Sequence, residues 1–287
     1  MKIYYMNSTH WDREWYLPFQ SFRFDLVEMT NELIDILESE PEYKLFCFDG
    51  QTIVLEDYAE IEPERAARLK KLIEDGRILV GPWYVMPDEF LTSGESLIRN
   101  LMVGDKLAKK WGGKTWKYGY VNDIFGHIAQ MPQIFAGFDI HGAFLGRGLG
   151  NKDYGHFKWI SPDGTTCFAT LGKYGAFAVR GPKPDYDSQE FRDKLKKWIE
   201  QLAAKSIAPV VFFSNSDDHR HADRETPKVL KMIGELFPDA EVCDVDLTEM
   251  VKELEKHKEI LPTVVGELSE SLDKRDAMID NMPVLYH

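Results

Sequence analysis

Two side chains able to bind a divalent cation, His10 and Asp12, stand two residues apart near the start of the chain. They follow the strand-like run 3–6, so both are expected where a strand ends and a loop begins. A neutral imidazole and a carboxylate oxygen are suitable ligands for zinc or a similar ion. The spacing alone does not define a metal site, because most such pairs are ordinary surface residues. Trp15 is close enough in the sequence to form an apolar wall beside them.

Other acidic residues recur in the same position, just past a predicted strand. Strand-like and helix-like segments alternate almost throughout the chain, which predicts an α/β fold with mostly parallel strands, as an open sheet or an irregular β/α barrel. In such a fold the carboxyl ends of the strands face one side, so we expect these side chains to converge on an acidic cleft rimmed by aromatic rings. The residues in this position are His10, Asp12, Asp49, Asp88, Asp123 and Asp218.

Periodicity and turn residues predict the individual elements. Strands are predicted at 3–6, 43–48, 77–80, 116–121, 142–145, 157–160, 166–171, 209–213 and 240–243. The strands at 157–160 and 166–171 should form a hairpin, and 209–213 reads as a strand covered on both faces. Helices are predicted at 22–40, 65–75 and 130–137, in a segment whose close-packing face is Leu97, Leu101, Gly104 and Ala108, and in three later segments. The first of those three should open with a capping box of Asp187 and Glu190.

Composition excludes several classes of protein. The net charge of −13 argues against nucleic-acid binding, which calls for a basic face, and no apolar run is long enough to cross a membrane. Cys47, Cys167 and Cys243 are isolated in apolar runs, which favours buried free thiols over disulfides or a zinc cluster. The amino-terminal sequence has no signal-peptide pattern, so we expect a cytoplasmic protein.

Asp123 and Asp218 could form the carboxylate pair of a retaining glycosidase, which needs a nucleophile and an acid/base about 5 Å apart. Each also has a simpler reading. Asp123 could be a helix cap or turn residue, and Asp217-Asp218 could cap a helix beginning near Asp223. The nearby histidines 219 and 221 could mark a second metal site or a solvated loop, and Trp15 and Trp83 could be core residues rather than sugar platforms.

Five motifs, in this order and approximate spacing, resemble those of glycoside hydrolase family 38. They are Thr9-His10-Trp11-Asp12-Arg13-Glu14-Trp15-Tyr16, Asp49-Gly50-Gln51-Thr52, Gly81-Pro82-Trp83-Tyr84-Val85-Met86-Pro87-Asp88-Glu89, Asn122-Asp123-Ile124-Phe125-Gly126-His127 and Asp217-Asp218-His219-Arg220. The resemblance covers essentially the whole chain. It is to the N-terminal catalytic domain of bacterial-type α-mannosidases, close to the mannosylglycerate hydrolase branch.

This resemblance implies an irregular seven-stranded β/α barrel and retaining, zinc-dependent hydrolysis of α-mannosides. It places one zinc ion on His10, Asp12 and Asp123, makes Asp123 the nucleophile as well, and makes Asp218 the acid/base. The substrate-binding residues that it implies are Trp15, Trp83, Asp88 and Arg147, the last of them beside the nucleophile.

The chain also departs from the family pattern. Ser8 stands where the family usually has the first histidine of an H-x-H motif, a position that is not a metal ligand. The family's fourth zinc ligand is a histidine well beyond the barrel, and His287 is not expected to replace it. We therefore expect residues 1–265 to be a catalytic domain and 266–287 to begin the connection to missing regions. Such a truncated domain should have weak or no activity by itself, and its exposed apolar surface could support homo-oligomers.

Three rival functions remain open at this stage. A related sugar-active enzyme, an α-glucan transferase or a metal-dependent deacetylase, could share the fold, although a deacetylase needs a metal-bound water rather than a carboxylate nucleophile. A non-catalytic carbohydrate- or metal-binding module, or an ordinary α/β domain, would also fit. The substrate could be mannosylglycerate or a mannose oligosaccharide. The former calls for a basic group to hold its carboxylate, and Arg13, Arg147 and Arg180 are the conceivable donors.

Overall fold

A computed structural model of the chain describes residues 1–150, 154–172 and 183–269. Within these ranges the strands are β1 (Lys2–Thr9), β2 (Phe46–Phe48), β3 (Ile78–Leu79), β4 (Gly119–Val121), β5 (Gly142–Leu145), β6 (His156–Ile160), β7 (Thr166–Leu171), β8 (Val210–Asn215), β9 (Glu241–Cys243) and β10 (Thr263–Val265). The helices are α1 (Phe19–Ser39), α2 (Ile53–Ile61), α3 (Ala66–Glu74), α4 (Gly94–Lys110), α5 (Met131–Ala136), α6 (Gln189–Lys205), α7 (Thr226–Leu236) and α8 (Thr248–Lys256).

The first sheet is built around β1, with the strand order β3-β2-β1-β8 and with β9 also paired to β1. Every pairing in this sheet is parallel. All residues of β8 are buried, as are all residues of β1 after Lys2, because both faces of the sheet are covered. The prediction of a strand with two covered faces near 209–213 is therefore confirmed.

The second sheet has the order β10-β6-β7-β5-β4. Its strands are parallel except for the hairpin of β6 and β7, which runs from the pair His156 and Thr170 to the pair Ile160 and Thr166. This confirms the predicted hairpin. The turn is closed by Asp163, which accepts the backbone N–H of Thr165 at 2.9 Å.

Mostly parallel strands are confirmed, but the arrangement differs from the implied barrel of seven strands. Hydrogen bonds in the described ranges join the strands into two five-stranded sheets rather than into one closed barrel. The sheets meet at the buried side chain of His156. Its Nε2 lies 3.1 Å from the carbonyl oxygen of Val210 in the first sheet, and its Nδ1 lies 2.9 Å from Thr170 Oγ1 in the second.

Helix α4 packs closely against the loop that follows β3. The predicted face, Leu97, Leu101, Gly104 and Ala108, is buried as expected. A Cβ atom on Gly104 would overlap the carbonyl oxygen of Pro82 and lie 2.6 Å from the carbonyl carbon of Trp83. Only glycine therefore allows this approach, which fixes the start of the loop 81–89.

Two details of the helices differ from the predictions. Helix α2 was not predicted at all. The cap of α6 is Ser188, whose hydroxyl accepts the backbone N–H of Phe191 at 3.2 Å, so the predicted cap at Asp187 is wrong by one position. Serine and aspartate are both good caps, and local sequence does not choose between neighbours.

The three cysteines are buried free thiols, as predicted. They lie in the apolar core between the helices and the two sheets, where burial raises the pKa of Cys243 to about 11. None of the helices in the described ranges is both long and apolar enough to cross a membrane.

Candidate active site

The carboxyl ends of β1, β2, β4 and β8 bring one histidine and four aspartates together. His10 is buried just past β1, and its Nε2 lies 3.4 Å from Asp12 Oδ1 and 3.6 Å from Asp123 Oδ2. Its other nitrogen, Nδ1, lies 3.1 Å from Asp49 Oδ1. Asp218 is held opposite His10 by a parallel β-bridge, in which the N–H of His219 donates to the carbonyl oxygen of His10 at 2.7 Å.

Within the described ranges, His10, Asp12 and Asp218 form a group that could hold a metal ion. One ligand atom from each lies within 4.8 Å of the other two. One imidazole nitrogen with carboxylate oxygens is a donor set that zinc accepts. The sequence-predicted set contained Asp123 in place of Asp218. Asp123 Oδ2 lies 3.6 Å from the same imidazole nitrogen, but Asp123 is not part of the group whose ligand atoms all lie within 4.8 Å of one another. The chemistry of these donors, one imidazole and several carboxylates, suits a divalent cation such as zinc.

Burial and neighbouring charges act in opposite directions on the pKa values of His10 and Asp12. Burial by itself lowers the pKa of His10, but the nearby carboxylates of Asp49 and Asp12 raise that pKa well above its ordinary value. Burial raises the pKa of Asp12, while the hydrogen bond and charge of His10 lower it, with a net lowering. Acidic partners around one imidazole make this edge of the sheet attractive to a cation.

Asp123 is paired with the arginine that the resemblance placed beside it. Arg147 Nε donates to Asp123 Oδ1 at 3.0 Å, and Arg147 Nη2 donates to the same oxygen. The guanidinium also lies over the ring of Phe125, 5.2 Å from its centroid. The two oxygens of Asp123 therefore have different surroundings, since Oδ1 faces the arginine and Oδ2 faces His10.

Asp217 and His219 hold the segment around Asp218 in place. Asp217 Oδ1 accepts the backbone N–H of Asp218 at 2.9 Å, and α7 begins later with Glu225 at its cap, so neither aspartate caps that helix. His219 stacks on Phe22 with centroids 4.3 Å apart, and its Nε2 donates to the carbonyl oxygen of Asp12 at 3.2 Å.

Sequence reasoning considered His219 and His221 together, as a second metal site or a solvated loop. The structure separates them. His219 is packed among aromatic rings with Nδ1 near the hydroxyl of Tyr16, whereas His221 pairs with Glu32 at 2.8 Å. No metal-binding group formed by the described residues contains both histidines.

The two tryptophans predicted to bind substrate differ in their exposure to solvent. Trp15 is 61% exposed, with its ring edge-on to Tyr16. Trp83 is fully buried, and its indole N–H donates to the carbonyl oxygen of Tyr120 at 2.9 Å. The prediction that Trp83 contacts sugar is thus not supported, because its ring has no face open to a ligand.

Asp88 is partly exposed, and burial raises the pKa of its carboxyl group. Its Oδ1 is buried with no hydrogen-bond partner in the structure. Of the arginines considered for a substrate carboxylate, Arg13 is already held by Asp57 through two hydrogen bonds of 2.7 and 3.0 Å. Arg180 lies outside the described residues.

The sequence placed Asp49 among the strand-end acids of the cleft but assigned it no role in catalysis, metal binding or substrate binding. It is fully buried, and its second oxygen accepts the backbone N–H of Trp11 at 2.8 Å and the amide of Gln51 at 2.7 Å. The sequence feature that pointed to a place for Asp49 in the site is its position directly after β2. Its contact with His10 depends on how β1 and β2 pair, which local sequence does not specify.

Comparisons with known proteins identify the family of this chain. The profile described as "Glycosyl hydrolases family 38 N-terminal domain" matches residues 1–262. A protein of Halalkalibacterium halodurans described as "Putative mannosylglycerate hydrolase" is 33% identical over 281 residues, which cover 92% of this chain and 31% of that protein. An "Alpha-mannosidase" of Saccharomyces cerevisiae is 27% identical over 169 residues, which cover 57% of this chain and 15% of that protein.

The fold of the chain also matches that of a solved structure. The crystal structure of an alpha-mannosidase from Enterococcus faecalis V583 superposes with a TM-score of 0.85 at 30% identity, covering 93% of this chain and 31% of that one. This chain thus spans about a third of the length of both bacterial relatives. The resemblance seen in the motifs is confirmed: the chain belongs to glycosyl hydrolase family 38, whose relatives are glycoside hydrolases of the α-mannosidase type.

Proposed function

We propose that this chain is the catalytic domain of a zinc-dependent, retaining α-mannosidase. The observation that carries the proposal is one cluster at the strand ends. It contains His10, Asp12 and Asp218 within 4.8 Å of one another, and Asp123 reaches the same imidazole. A mannoside is the substrate class that follows from family membership, with mannosylglycerate and mannose oligosaccharides as the two candidates.

In this proposal His10, Asp12 and Asp123 hold the zinc ion. Bound zinc would supply a Lewis acid that fixes sugar hydroxyls and stabilises negative charge. The acidic surroundings of His10 favour a cation at this point, and the buried imidazole is held by Asp49 on its far side. The exposed part of the Trp15 ring would give the sugar an apolar face to stack on, and Asp88 would accept a hydrogen bond from a sugar hydroxyl.

Asp123 would act as nucleophile through one of its two carboxylate oxygens. This oxygen attacks the anomeric carbon while the bond from that carbon to the leaving oxygen breaks, and Asp218 gives its proton to the leaving oxygen. Asp218 then takes a proton from a water whose oxygen attacks the same carbon and releases Asp123. Two inversions at one carbon return the starting configuration. Arg147 holds the carboxylate in a fixed orientation through two donors to one oxygen.

The first test is covalent trapping of the nucleophile together with metal analysis. A mannosyl fluoride bearing a second fluorine on the ring should label one carboxylate, and peptide mass spectrometry should place the label on Asp123. Asp123→Asn should abolish both labelling and hydrolysis of an aryl α-mannoside. Asp139→Asn is the matched control, because Asp139 is an exposed aspartate with a histidine partner at the amino end of β5. Labelling of another residue, or labelling that survives in Asp123→Asn, would overturn the assignment.

A second test separates the two roles open to Asp218. If Asp218 is the acid/base, Asp218→Asn keeps about one zinc per chain and loses far more activity on poor leaving groups than on activated aryl mannosides. If Asp218 is instead a metal ligand, as its place in the cluster allows, the same variant loses zinc, and its activity falls by a similar factor on all substrates. The second outcome would overturn its assignment as acid/base.

A further inference from the structure

We propose that Asp49 is a positioning residue that accepts a hydrogen bond from His10 Nδ1 and so directs Nε2 of the ring toward the cation position beside Asp12 and Asp123. The inference rests on the metal site of the proposed function and adds a residue that the motifs left without a role. Asp49 Oδ1 lies 3.1 Å from Nδ1, whereas Asp12 and Asp123 both lie on the Nε2 side of the ring. An ionised carboxylate only accepts hydrogen bonds, so with a cation bound to Nε2 the ring proton lies on Nδ1 and is donated to Asp49.

Asp49 is itself rigidly held. Its Oδ2 accepts from the backbone N–H of Trp11 at 2.8 Å and from Gln51 Nε2 at 2.7 Å. Gln51 Nε2 also lies 3.1 Å from the carbonyl oxygen of Trp11, and Gln51 Oε1 accepts the backbone N–H of Met86 at 3.2 Å. The amide therefore ties together the loops that follow β1, β2 and β3. Movement of any one of them would disturb the carboxylate that orients His10.

The backbone at Asp49 is unusual in a way that fits this role. Asp49 has φ 43° and Gly50 has φ 65°, both in the left-handed region. A Cβ atom on Gly50 would lie 2.8 Å from Cβ of Tyr120, so the turn is pressed against the core. Such conformations persist where surrounding structure enforces them, and here the turn directs the carboxylate back beneath His10.

Asp49 is placed to orient the ligand rather than to serve as one. Both of its oxygens are used by donors, and it lies on the opposite side of the imidazole from Asp12 and Asp123. Carboxylates in this position fix the ring and raise its basicity, and their loss weakens metal binding by about 10- to 100-fold. The expected effect of Asp49→Asn is thus a loss of zinc affinity without loss of the fold.

The test measures zinc affinity by competition with a chromophoric chelator, in the wild type, Asp49→Asn and the control Asp57→Asn. Asp57 is also a buried aspartate near this loop, but its partners are Arg13 and Arg23. We expect affinity to fall about 10- to 100-fold in Asp49→Asn and less than twofold in Asp57→Asn. Gln51→Met removes the amide support and leaves the carboxylate, so it should weaken affinity in the same direction by a smaller factor. It also keeps the test informative if Asp49→Asn fails to fold.

A second readout reports on His10 directly. ¹H–¹⁵N spectra, with and without zinc, should show a proton on His10 Nδ1 that exchanges slowly with water in the wild type and faster in Asp49→Asn. Unchanged zinc affinity together with unchanged exchange of this proton in Asp49→Asn would overturn the inference. If the wild type binds no zinc, the proposed metal site fails, while the exchange of the Nδ1 proton in the metal-free spectra still decides whether Asp49 positions His10.

Discussion

Acidification should weaken the junction between the two sheets through one buried histidine. His156 is uncharged in the folded protein, because burial lowers the pKa of its imidazole to about 4 from an ordinary value of 6.5. The neutral ring satisfies both neighbours: Nε2–H donates to the carbonyl oxygen of Val210, and Nδ1 accepts from the hydroxyl of Thr170. A second proton on Nδ1 would place a positive charge in this buried site and would require the Thr170 hydroxyl to turn and accept instead of donate.

The size and sign of the effect follow from these two pKa values. The unfolded chain binds the proton near pH 6.5 and the folded chain only near pH 4, so stability is full above the first value and falls with pH between them. The complete loss corresponds to about 3 kcal/mol, of which about 2 kcal/mol should be reached at pH 5.

Urea denaturation at pH 7.5 and pH 5.0 measures this contribution. His156→Gln is the comparison, because glutamine can donate to Val210 and accept from Thr170 but does not titrate. Other groups titrate in both proteins, so their contribution cancels in the comparison. The free energy of unfolding should therefore fall by about 2 kcal/mol more in the wild type than in the variant between the two pH values. Equal losses in the two proteins would refute the reasoning.

Two further predictions concern packing and substrate contact. Gly104→Ala should lower the free energy of unfolding by about 1 to 3 kcal/mol, because the added methyl group would overlap the backbone of the loop 81–89. Gly234→Ala, in a helix where nothing lies within 4 Å, should instead raise it by about 0.5 to 1 kcal/mol, and chemical denaturation of both variants checks the pair. Trp15→Ala should raise KM for an aryl α-mannoside about 3- to 10-fold through lost stacking. Phe24→Ala removes an aromatic ring that is equally exposed, 61%, and should leave KM unchanged; steady-state kinetics would contradict the assignment if both variants behaved alike.

The convergence of the site could be predicted because it follows from a general rule. Parallel strands end at one side of their sheet, so His10, Asp12 and Asp123 needed only correct strand ends to be placed together. Exposure of individual side chains does not follow from that rule. Trp83 lies in a loop motif beside Asp88, yet its burial depends on the approach of α4 through Gly104, a contact that no local pattern encodes.

Strand neighbours were harder to predict than the strands themselves. Residues 53–61 form helix α2, but their short apolar run directly after a loop motif does not distinguish a helix from irregular structure. Likewise, periodicity identifies the strands but not which of them pair. The same sequence pattern is therefore expected for two five-stranded sheets and for one closed barrel. The domain boundary at residue 265, the cytoplasmic location and self-association stay predictions.

The central place of β1 has a consequence for the order in which the protein is made. β1 is synthesised early, yet its longest pairing is with β8, and the hydrogen bond from Asn215 to Tyr5 joins residues 210 positions apart. Closing so long a stretch of chain is slow and leaves strand edges exposed in the meantime. His10 can take its place opposite Asp218 only after β8 has left the ribosome. The cluster around His10 at the start of the sequence is therefore assembled only late in synthesis, and a nascent chain stalled before β8 would lack it and would leave that edge of β1 unpaired.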